Sequence, residues 1–516
     1  MARLHEYQGK AILAVNGFKI PRGRAASSAD EAVAVAKELA KGEKVGEVVI
    51  KIQAWTTGRA GIGGVAFAKK PDDVRTHAAR MLAIKVGQFP VEAVLVEEKV
   101  DIDREFFLSF AIDDAARAPV IFFAAGGGIG IEERAASTRR IACDVNGGPL
   151  DSAVSEAVAS SGLSPEDAAQ LAESIRKLFA AARSVEARSL EINPLVLTKD
   201  REFVAADCRI TIDDYAVARH PELGIEIARE FDHPPTALER VAYAVEQSDH
   251  RGTFYFAQLA TAAAKGSEGL VGFHGAGGGG SMMSMDAIVN AGFTIANFTD
   301  TSGNPSASKV YRAARIILAQ PDLIGYFGSG SGVASQEQYW SAYGLAKAFW
   351  ELDLDISAVI RLGGNTEDRA VDILGRMSKL LRAPIEGYRK TDAPAMIAAR
   401  FADLVVSAGG AKWKPRAPLL PKFVENKSAT TLPVKNGRVW IDTAKWADIR
   451  RAVETQSGGL IVDHKGAPAS SLPNEEFATK DSELLACDVE CRLAGVDGLY
   501  LELDIPGLDE LIGDAR

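Results

Sequence analysis

Two side chains that can bind a metal ion stand in neighbouring apolar stretches of the sequence. Asn193 lies in "LEINPLVLT" and Asp207 lies in "EFVAADCR", although both residue types are poor strand formers. A hairpin with a three-residue loop at 199–201, a common length, would place Asn193 directly opposite Asp207. Opposed Cβ atoms lie roughly 4.5–5.5 Å apart, so an amide oxygen and a carboxylate would reach one hard cation. The spacing predicts a metal site, and an Asx turn beside a solvated charge is the alternative.

The same pairing places two charged residues beside this site. Glu191 would lie opposite Arg209 in the hairpin. Because side chains alternate between the two faces of a strand, all four residues would point the same way.

A lysine lies within the stretch "VVIKIQ", which has the composition of a strand. Lys51 shares a face with Val49, so it is either a surface lysine with an extended stem or a phosphate ligand aimed into a cleft. The glycine-rich stretch 58–64 follows. It favours the second interpretation, because a mobile loop can fold over a polyphosphate.

The next strand-like stretch, "VLVEEKVDIDREFFLS", offers groups for the rest of a nucleotide. Its first half could present main-chain groups to the edge of an adenine, and Glu105 could reach a ribose or a metal. Isolated glutamates at strand ends are more often solvated, so both roles depend on the remainder of the site.

Two glycine-rich loops follow strands later in the chain. "FHGAGGGGSMMSMD" and "YFGSGSGVASQEQYW" each connect an apolar strand to a helical stretch. Free N–H groups and the helix dipole at such helix starts favour a carboxylate or phosphate. Two of them at the carboxyl ends of a parallel sheet would form a ligand crevice. Neither loop has the Walker A sequence or the full dinucleotide-binding pattern.

Length and composition exclude several classes of protein. The 516 residues carry a formal net charge of −10 without a basic tract, which argues against a nucleic-acid partner. No uncharged apolar run reaches the roughly 18 residues needed to cross a membrane, and the charged start "MARLHEYQGK" is unlike a signal peptide. Four cysteines in so long a chain favour a reducing compartment. We therefore expect a soluble, cytoplasmic protein.

The pattern of apolar residues divides the chain into four segments. Residues 1–230 mix helices with strands, residues 231–266 are helical and polar like a bridge, and residues 267–415 alternate short strands with helices. This alternation predicts a parallel sheet with crossover helices. A linker, "AKWKPRAPLLPKF", precedes residues 416–516, which could form a small α+β domain.

Taken in order, the lysine strand, glycine-rich loop, acidic strand and Asn/Asp hairpin resemble the ATP-grasp domain of the succinate–CoA ligase β subunit. The resemblance begins with "LHEYQGKAIL", includes "EINPL", and continues with "GAGGGGSMMSMDAI" and "IRLGGNTED", so that it covers roughly residues 1–400. It implies an ATP-grasp domain over 1–230 and a flavodoxin-like CoA-ligase domain over 267–415. Residues 416–516 have no counterpart in it and form an extension of unknown role.

The resemblance also implies a role for each matched residue. Asn193 and Asp207 would hold Mg²⁺, and Glu191 would orient a phosphorylated histidine. The contacts to ATP or GTP would come from Lys51, Gly58, Arg59, Ala60, Glu97, Val100 and Glu105. The carboxylic acid would bind near His274, Gly328, Ser329 and Gly330.

The reaction of this family requires a second chain. The nucleotide phosphorylates a histidine, the acid takes the phosphoryl group to give an acyl phosphate, and the CoA thiol displaces phosphate. That histidine normally belongs to an α subunit that binds CoA. None of the seven histidines of this chain lies in a segment that resembles the α subunit's active loop. The resemblance therefore implies one half of an ADP-forming acid–CoA ligase.

Three departures from the family's pattern lie where the family binds its carboxylate. The loop that usually opens Asn-Gly-Ala-Gly opens here with His274, a stretch usually rich in glycine reads "DTSGNPSASK", and "FGSG" has an apparent extra residue. We hypothesise that the acid is not succinate, and that His274 pairs with a second acid group or stacks on a ring. The alternative is that His274 is a loop histidine whose hydrogen bonds are satisfied within the protein.

Two other functions remain open. One is a carboxyl-phosphate ligase whose acceptor is not CoA, which the two glycine-rich loops disfavour. The other is a noncatalytic or regulatory nucleotide-binding subunit. The joint presence of Lys51, Glu191, Asn193 and Asp207 argues against that loss of catalysis.

Overall fold

The chain folds into two units, Met1–Pro235 and Thr236–Arg516. The computed structural model describes residues 1–39, 47–56, 58–127, 138–229, 231, 233–248, 254–330, 337–454 and 474–514, with the backbone alone for 474–480 and 514. Among these residues no helix has the length and apolar composition needed to cross a membrane.

The first unit is built on antiparallel sheets. Its described strands are β1 (Ala2–Arg3), β2 (Gly23–Ala26), β3 (Val48–Ile52), β4 (Val65–Ala68), β5 (Lys85–Val86), β6 (Phe89–Pro90), β7 (Val94–Glu98), β8 (Ile102–Asp113), β9 (Ala118–Ala124), β10 (Arg139–Asp144), β11 (Gly148–Pro149), β12 (Ala187–Thr198), β13 (Phe203–Ala205) and β14 (Cys208–Ile212). Its described helices are α1 (Glu6–Val15), α2 (Ala29–Glu38), α3 (Pro71–Leu82), α4 (Asp151–Ala159) and α5 (Pro165–Ser184). The main sheet has the order β1-β14-β12-β8-β9-β10-β11, with β13 also paired to β12.

The predicted hairpin is strand β12 with its return strands β13 and β14. The Thr198 N–H donates to the Glu202 carbonyl at 2.9 Å, which closes the three-residue loop at 199–201. Glu191 lies opposite Arg209 in the pairing of β12 with β14. The predicted register is therefore confirmed. Strand β12 also alternates as expected, with apolar side chains on the core face and Glu191 half-buried on the other.

Lysine 51 lies on a smaller sheet of order β2-β7-β3-β4. Val48, Ile50 and Ile52 of β3 pack into the core formed with helices α2 and α3. Because side chains alternate along a strand, Lys51 points to the opposite face. Helix α2 begins after Ser28, and the Ser28 hydroxyl accepts the N–H of Glu31.

The second unit contains the predicted parallel sheet. Its described strands are β15 (Tyr255–Gln258), β16 (Leu270–Ala276), β17 (Thr294–Ile295), β18 (Asn297–Asp300), β19 (Leu323–Gly330), β20 (Ser357–Arg361), β21 (Ile385–Tyr388), β22 (Thr430–Val434), β23 (Gly437–Ile441) and β24 (Leu499–Leu503). Its described helices are α6 (Ala237–Ser248), α7 (Gly278–Asn290), α8 (Ala307–Ile317), α9 (Tyr339–Glu351), α10 (Glu367–Ser378), α11 (Pro394–Ser407), α12 (Lys422–Glu425), α13 (Trp446–Val453), α14 (Asn474–Leu493) and α15 (Leu508–Asp514). The main sheet has the order β15-β18-β16-β19-β20-β21, with β17 also paired to β16.

The segment 231–266, interpreted from sequence as a helical bridge, contains a strand as well as helix α6. Strand β15 pairs antiparallel with β18 at the edge of the main sheet. The other ladders of this sheet are parallel, as the sequence predicts. The division of the chain at residues 230, 266 and 415 stays a prediction.

The C-terminal extension shares one core with the parallel-sheet region. Strands β22, β23 and β24 form a separate antiparallel sheet. Apolar residues of this sheet and of α14, such as Leu485, belong to the same buried cluster as residues of α8 and α9. The extension is therefore an integral part of the second unit.

A glycine permits the close crossing of α8 and α9. A Cβ added at Gly344 would lie 2.4 Å from the Ala307 carbonyl oxygen and 2.9 Å from the Val310 Cβ. We expect Gly344→Ala to lower the free energy of unfolding by about 1–3 kcal/mol, because the helices must separate. Gly375→Ala in α10 is the matched control, since its added Cβ meets no atom within 4 Å. That control should stabilise by about 0.5–1 kcal/mol. Urea unfolding measures both, and similar effects of the two changes would contradict the packing described.

Candidate functional site

The hairpin brings the two predicted metal ligands together. The backbone N–H of Asn193 donates to the Asp207 carbonyl at 3.3 Å, as expected for directly opposed residues. The Asn193 side-chain amide donates to Glu191 Oε1 at 3.4 Å. Asp207 lies in the two-residue gap between β13 and β14, so its poor strand propensity interrupts a strand without breaking the hairpin.

Lys51 and Arg59 meet the carboxylate of Glu6, the first residue of α1. Lys51 Nζ lies 2.8 Å from Glu6 Oε1, and an Arg59 terminal nitrogen lies 2.7 Å from Glu6 Oε2. The other terminal nitrogen of Arg59 lies 2.5 Å from Asp207 Oδ2. Arg59 therefore connects the glycine-rich loop to the hairpin.

A second layer of ion pairs completes this arrangement. Lys10, one turn along α1, lies 2.8 Å from Glu6 and 2.5 Å from Glu97. Lys51 also lies 2.5 Å from Glu97 and donates to the Ala206 carbonyl at 2.9 Å. We call Glu6, Lys10, Lys51, Arg59, Glu97 and Asp207 the six-residue cluster. It contains three acidic and three basic side chains joined by ion pairs.

The pKa directions in the cluster follow from burial and from these neighbours. Burial raises the pKa of Glu6, but Lys51, Lys10 and Arg59 outweigh it and hold that pKa far below its usual range. Burial lowers the pKa of Lys51, and the facing carboxylates of Glu6, Glu97 and Asp207 more than reverse that effect. The pKa of Asp207 is raised by burial and by Glu6, against the opposing effect of Arg59 and Lys51.

Four members of the cluster, Glu6, Lys51, Arg59 and Asp207, border a cavity of about 770 Å³. The predicted residues that line it are Lys51, Gly58, Arg59, Ala60, Glu191, Asn193 and Asp207. Mg²⁺ is usually held by one or two carboxylates together with substrate phosphates. The amide and carboxylate oxygens of Asn193 and Asp207 fit that donor set. No group of three or more His, Cys, Asp or Glu side chains in the described residues is arranged to hold a metal.

Three other predicted nucleotide contacts lie outside the lining of this cavity. Glu97, on β7, is 2% exposed and reaches the site through its ion pair with Lys51. Val100 follows the end of β7, and Glu105 lies on β8 opposite Val196. Their proposed contacts with adenine and ribose stay predictions.

Sequence reasoning missed the role of α1 in this site. Glu6 and Lys10 were part of a family motif, but neither was assigned to the site. The sequence contains a signal for this role. Glu6 and Lys10 are four residues apart, on the buried face of α1, where an amphipathic helix would have apolar side chains. His5 and Trp55 also line the cavity, and each has one buried ring nitrogen without a hydrogen-bond partner among the residues that the structure describes.

In the second unit, His274 is enclosed by the protein. It lies on β16 with 5% of its surface exposed. Its Nδ1 is 2.6 Å from the Tyr326 hydroxyl, and its Nε2 is 3.2 Å from the Thr301 hydroxyl. Burial lowers the pKa of His274 to about 3, so the ring is neutral at physiological pH. These contacts favour the alternative of a satisfied histidine, and substrate binding by His274 stays a prediction.

The other predicted acid-binding residues, at the start of the second glycine-rich loop, lie beside His274. On β19, Gly328 pairs with His274, while Ser329 and Gly330 pair with the next two residues of β16. The Ser329 hydroxyl donates to the Ser284 hydroxyl of α7 at 2.7 Å. The rest of that loop, at 331–336, lies outside the described residues.

The first glycine-rich loop leads directly into helix α7. Gly277 precedes the helix with φ of 91°, a value that favours glycine. Its N–H donates to Asp300 Oδ1 at 2.9 Å, at the carboxyl end of the neighbouring strand β18. The loop and the end of β18 therefore meet at one edge of the parallel sheet.

Comparison with known proteins points to one family. Residues 3–197 match the ATP-grasp domain family. The chain is 34% identical over 376 residues to the GDP-forming succinate–CoA ligase subunit beta of Thermus thermophilus, covering 72% of this chain and 93% of that protein. It is 31% identical over 376 residues to the ADP-forming succinate–CoA ligase subunit beta of Rubrobacter xylanophilus, covering 72% and 92%.

Solved structures confirm the predicted fold class. An ATP citrate lyase from Methanothrix soehngenii, solved with citrate and coenzyme A, superimposes with a TM-score of 0.59 at 19% identity, over 78% of this chain and 99% of that chain. The Methanosaeta concilii ATP citrate lyase, in complex with (3S)-citryl-CoA, gives a TM-score of 0.57 at 18% identity, over 77% and 98%. At these identities the likeness concerns the fold alone.

Proposed function

Because the chain belongs to the family of succinate–CoA ligase β subunits, we propose that it is the nucleotide-binding subunit of an acid–CoA ligase. The reaction would convert an acid, CoA and ATP or GTP into an acyl-CoA, nucleoside diphosphate and phosphate. The observation that carries this proposal is the cavity lined by Lys51, Arg59, Asn193 and Asp207.

Each side chain of the cavity has a role that its chemistry supports. Lys51 and Arg59 are cations whose exposed fractions, 12% and 16%, leave them a surface toward a ligand. They would hold the nucleotide phosphates, with Gly58 and Ala60 offering backbone N–H groups. Asn193 and Asp207 would hold Mg²⁺, which supplies charge neutralisation during phosphoryl transfer. Glu191, on the same hairpin face, would orient the phosphorylated histidine.

We also propose that this histidine belongs to an α-like partner subunit that binds CoA. The relatives in sequence are themselves beta subunits of succinate–CoA ligases. Of the histidines in the described residues, His5 lines the cavity and His274 is enclosed in the second unit. His5 lies on a short segment before α1 that does not resemble the family's phosphorylated loop.

Mass spectrometry of the complex purified from its own cells, under conditions that preserve acid-labile phosphate, tests this partner. We expect a second chain that carries phosphohistidine. A lone active chain with phosphate on one of its own histidines would contradict the proposal.

The acid is proposed to be other than succinate. Support comes from the changed residues of the acid-binding region, which meet at the ends of β16, β18 and β19. Because both ring nitrogens of His274 have protein partners, we expect it to act on acid choice by fixing the loop that follows it. Acyl-CoA formation with a panel of dicarboxylic, tricarboxylic and aromatic acids should favour one of these over succinate. Succinate giving the highest kcat/KM of the panel would refute the changed-pocket proposal.

A cytoplasmic location is proposed for the complex. The four cysteines are buried and form no disulfide, which is the usual state in a reducing compartment. Fractionation of the source cells would show the protein with cytoplasmic markers, and recovery with an oxidising extracellular compartment would contradict this location.

A further inference from the structure

The six-residue cluster contains an acid that the proposed nucleotide contacts do not explain. Glu6 lines the cavity with Lys51 and Arg59, but its side chain is 2% exposed against 12% and 16% for these two cations. Its two carboxylate oxygens form ion pairs with three cations, Lys10, Lys51 and Arg59. An anion so close to a phosphate site opposes phosphate binding by Coulomb repulsion. Glu6 must therefore contribute something else to the site that outweighs this repulsion.

We propose that Glu6 is a positioning residue that balances the charge of the phosphate-binding cations and thereby makes nucleotide binding depend on Mg²⁺. This inference rests on the proposed function and goes beyond it, because the family comparison assigns no role to Glu6. It concerns only residues of the first unit.

The charge count of the cluster supports this proposal. Glu6, Glu97 and Asp207 are paired with Lys10, Lys51 and Arg59, so the ion-paired side chains sum to no net charge. Outside the cluster, Arg3, Glu191 and Arg209 line the same cavity and together add one positive charge. Nucleotide phosphates that recruit Lys51 and Arg59 would therefore meet cations that already have carboxylate partners. A divalent cation bound with the phosphates would neutralise part of their negative charge. A nucleotide without Mg²⁺ would bring its full negative charge to a cluster that has no net charge.

Geometry supports the positioning role. Glu6 Oε1 holds Lys51 at 2.8 Å, and Oε2 holds Arg59 at 2.7 Å, so one carboxylate fixes both cations. It stands in the first turn of α1, where the helix dipole favours an anion. Glu6 lines the cavity, but only 2% of its side chain is exposed, because the two cations cover most of its carboxylate.

The test compares ATP affinity of the full-length chain in Mg²⁺ with its affinity in EDTA, by isothermal titration. Glu6→Gln preserves the shape but leaves the cluster with one excess positive charge. We expect the Kd in EDTA divided by the Kd in Mg²⁺ to fall by at least about tenfold in this variant. ATP without Mg²⁺ carries more negative charge than Mg·ATP, so its binding gains more from the excess positive charge. A residue with only a structural role would weaken binding in both conditions and leave the ratio unchanged.

A second variant restores the charge balance without restoring Glu6. In Glu6→Gln/Lys10→Met one base is removed with the acid, and Lys10 is not a proposed phosphate contact. We expect the Mg²⁺ dependence of the wild type to return in this double variant. Glu98→Gln is the matched control, since Glu98 pairs with Arg22 away from the cluster, and its ratio should equal that of the wild type.

The outcomes separate this inference from the proposed function. Wild type that binds Mg·ATP, with an unchanged Kd ratio in Glu6→Gln, would overturn the role of Glu6 alone. A double variant that behaves like the single variant would do the same. Failure of the wild type to bind either ATP or GTP in either condition would overturn the proposed function and this inference with it. Thermal unfolding of the unliganded variants shows that each is folded.

Discussion

Lys347→Met is expected to lower the free energy of unfolding of the second unit by about 3–5 kcal/mol, the usual effect of removing one member of a buried ion pair. Lys347 is fully buried on α9. Its Nζ lies 2.6 Å from Glu351 and 2.5 Å from Asp488 of α14, and 4.3 Å from the ring centre of Tyr500. The substitution leaves two carboxylates buried without this cation.

Asp488 is held charged by more than one group. Burial raises its pKa, but Arg492 and Lys347 outweigh burial and lower it. The Leu501 N–H also donates to Asp488 at 3.0 Å, which connects α14 to the C-terminal sheet. Loss of Lys347 therefore loosens the extension from the parallel-sheet region.

Urea unfolding followed by tryptophan fluorescence measures this effect. Five of the six tryptophans lie in the second unit. Arg382→Met is the matched control, because Arg382 is 60% exposed and pairs with Asp353 at the surface; its effect should stay within about 1 kcal/mol. Lys347→Met/Asp488→Leu should destabilise less than the sum of the two single changes. Equal effects of Lys347→Met and the control would contradict the buried position of this pair.

Asp207→Asn is expected to weaken Mg²⁺-dependent ATP binding by about tenfold to a hundredfold. Changes to residues that merely support a metal ligand already have effects of that size, and Asn has one fewer charged oxygen to offer. The substitution also removes the ion pair with Arg59. Titration of ATP at several Mg²⁺ concentrations separates the two effects, since only loss of a metal ligand raises the Mg²⁺ concentration needed for half-saturation.

The hairpin supplies its own control for this prediction. Asp200 lies in the loop of the same hairpin and is exposed, so Asp200→Asn should leave ATP binding unchanged. Asn193→Ala should act in the same direction as Asp207→Asn, because it removes the opposing oxygen. The metal assignment would be wrong if Asn193→Ala and Asp207→Asn both bound Mg·ATP as the wild type does.

The parts of the structure that local patterns control could be predicted from the sequence. The register of the hairpin follows from the loop length and strand alternation, and Glu191 lies opposite Arg209 as counted. The parallel sheet follows from short apolar strands that alternate with helices. Strand alternation also placed Lys51 on the same face as Val49, opposite the face that Val48, Ile50 and Ile52 turn to the core.

Features that depend on distant residues could not be predicted in this way. Lys10 meets Glu97 across 87 positions of sequence, so neither residue alone indicates the cluster. Strand β15 is only four residues long, and its pairing with β18 is visible only in the folded sheet. The family resemblance placed His274 at the opening of a loop, whereas strand β16 continues past it to Ala276.

Nucleoside diphosphate formation by the intact complex is the first measurement to make, because it shows whether this chain supplies the nucleotide site of an acid–CoA ligase. We expect diphosphate release from Mg·ATP or Mg·GTP that requires both CoA and a carboxylic acid, and that is lost in the complex containing Asp207→Asn. Equal release by the wild-type and Asp207→Asn complexes, or no release and no ATP/ADP exchange by the wild-type complex with any acid of the panel, would contradict it.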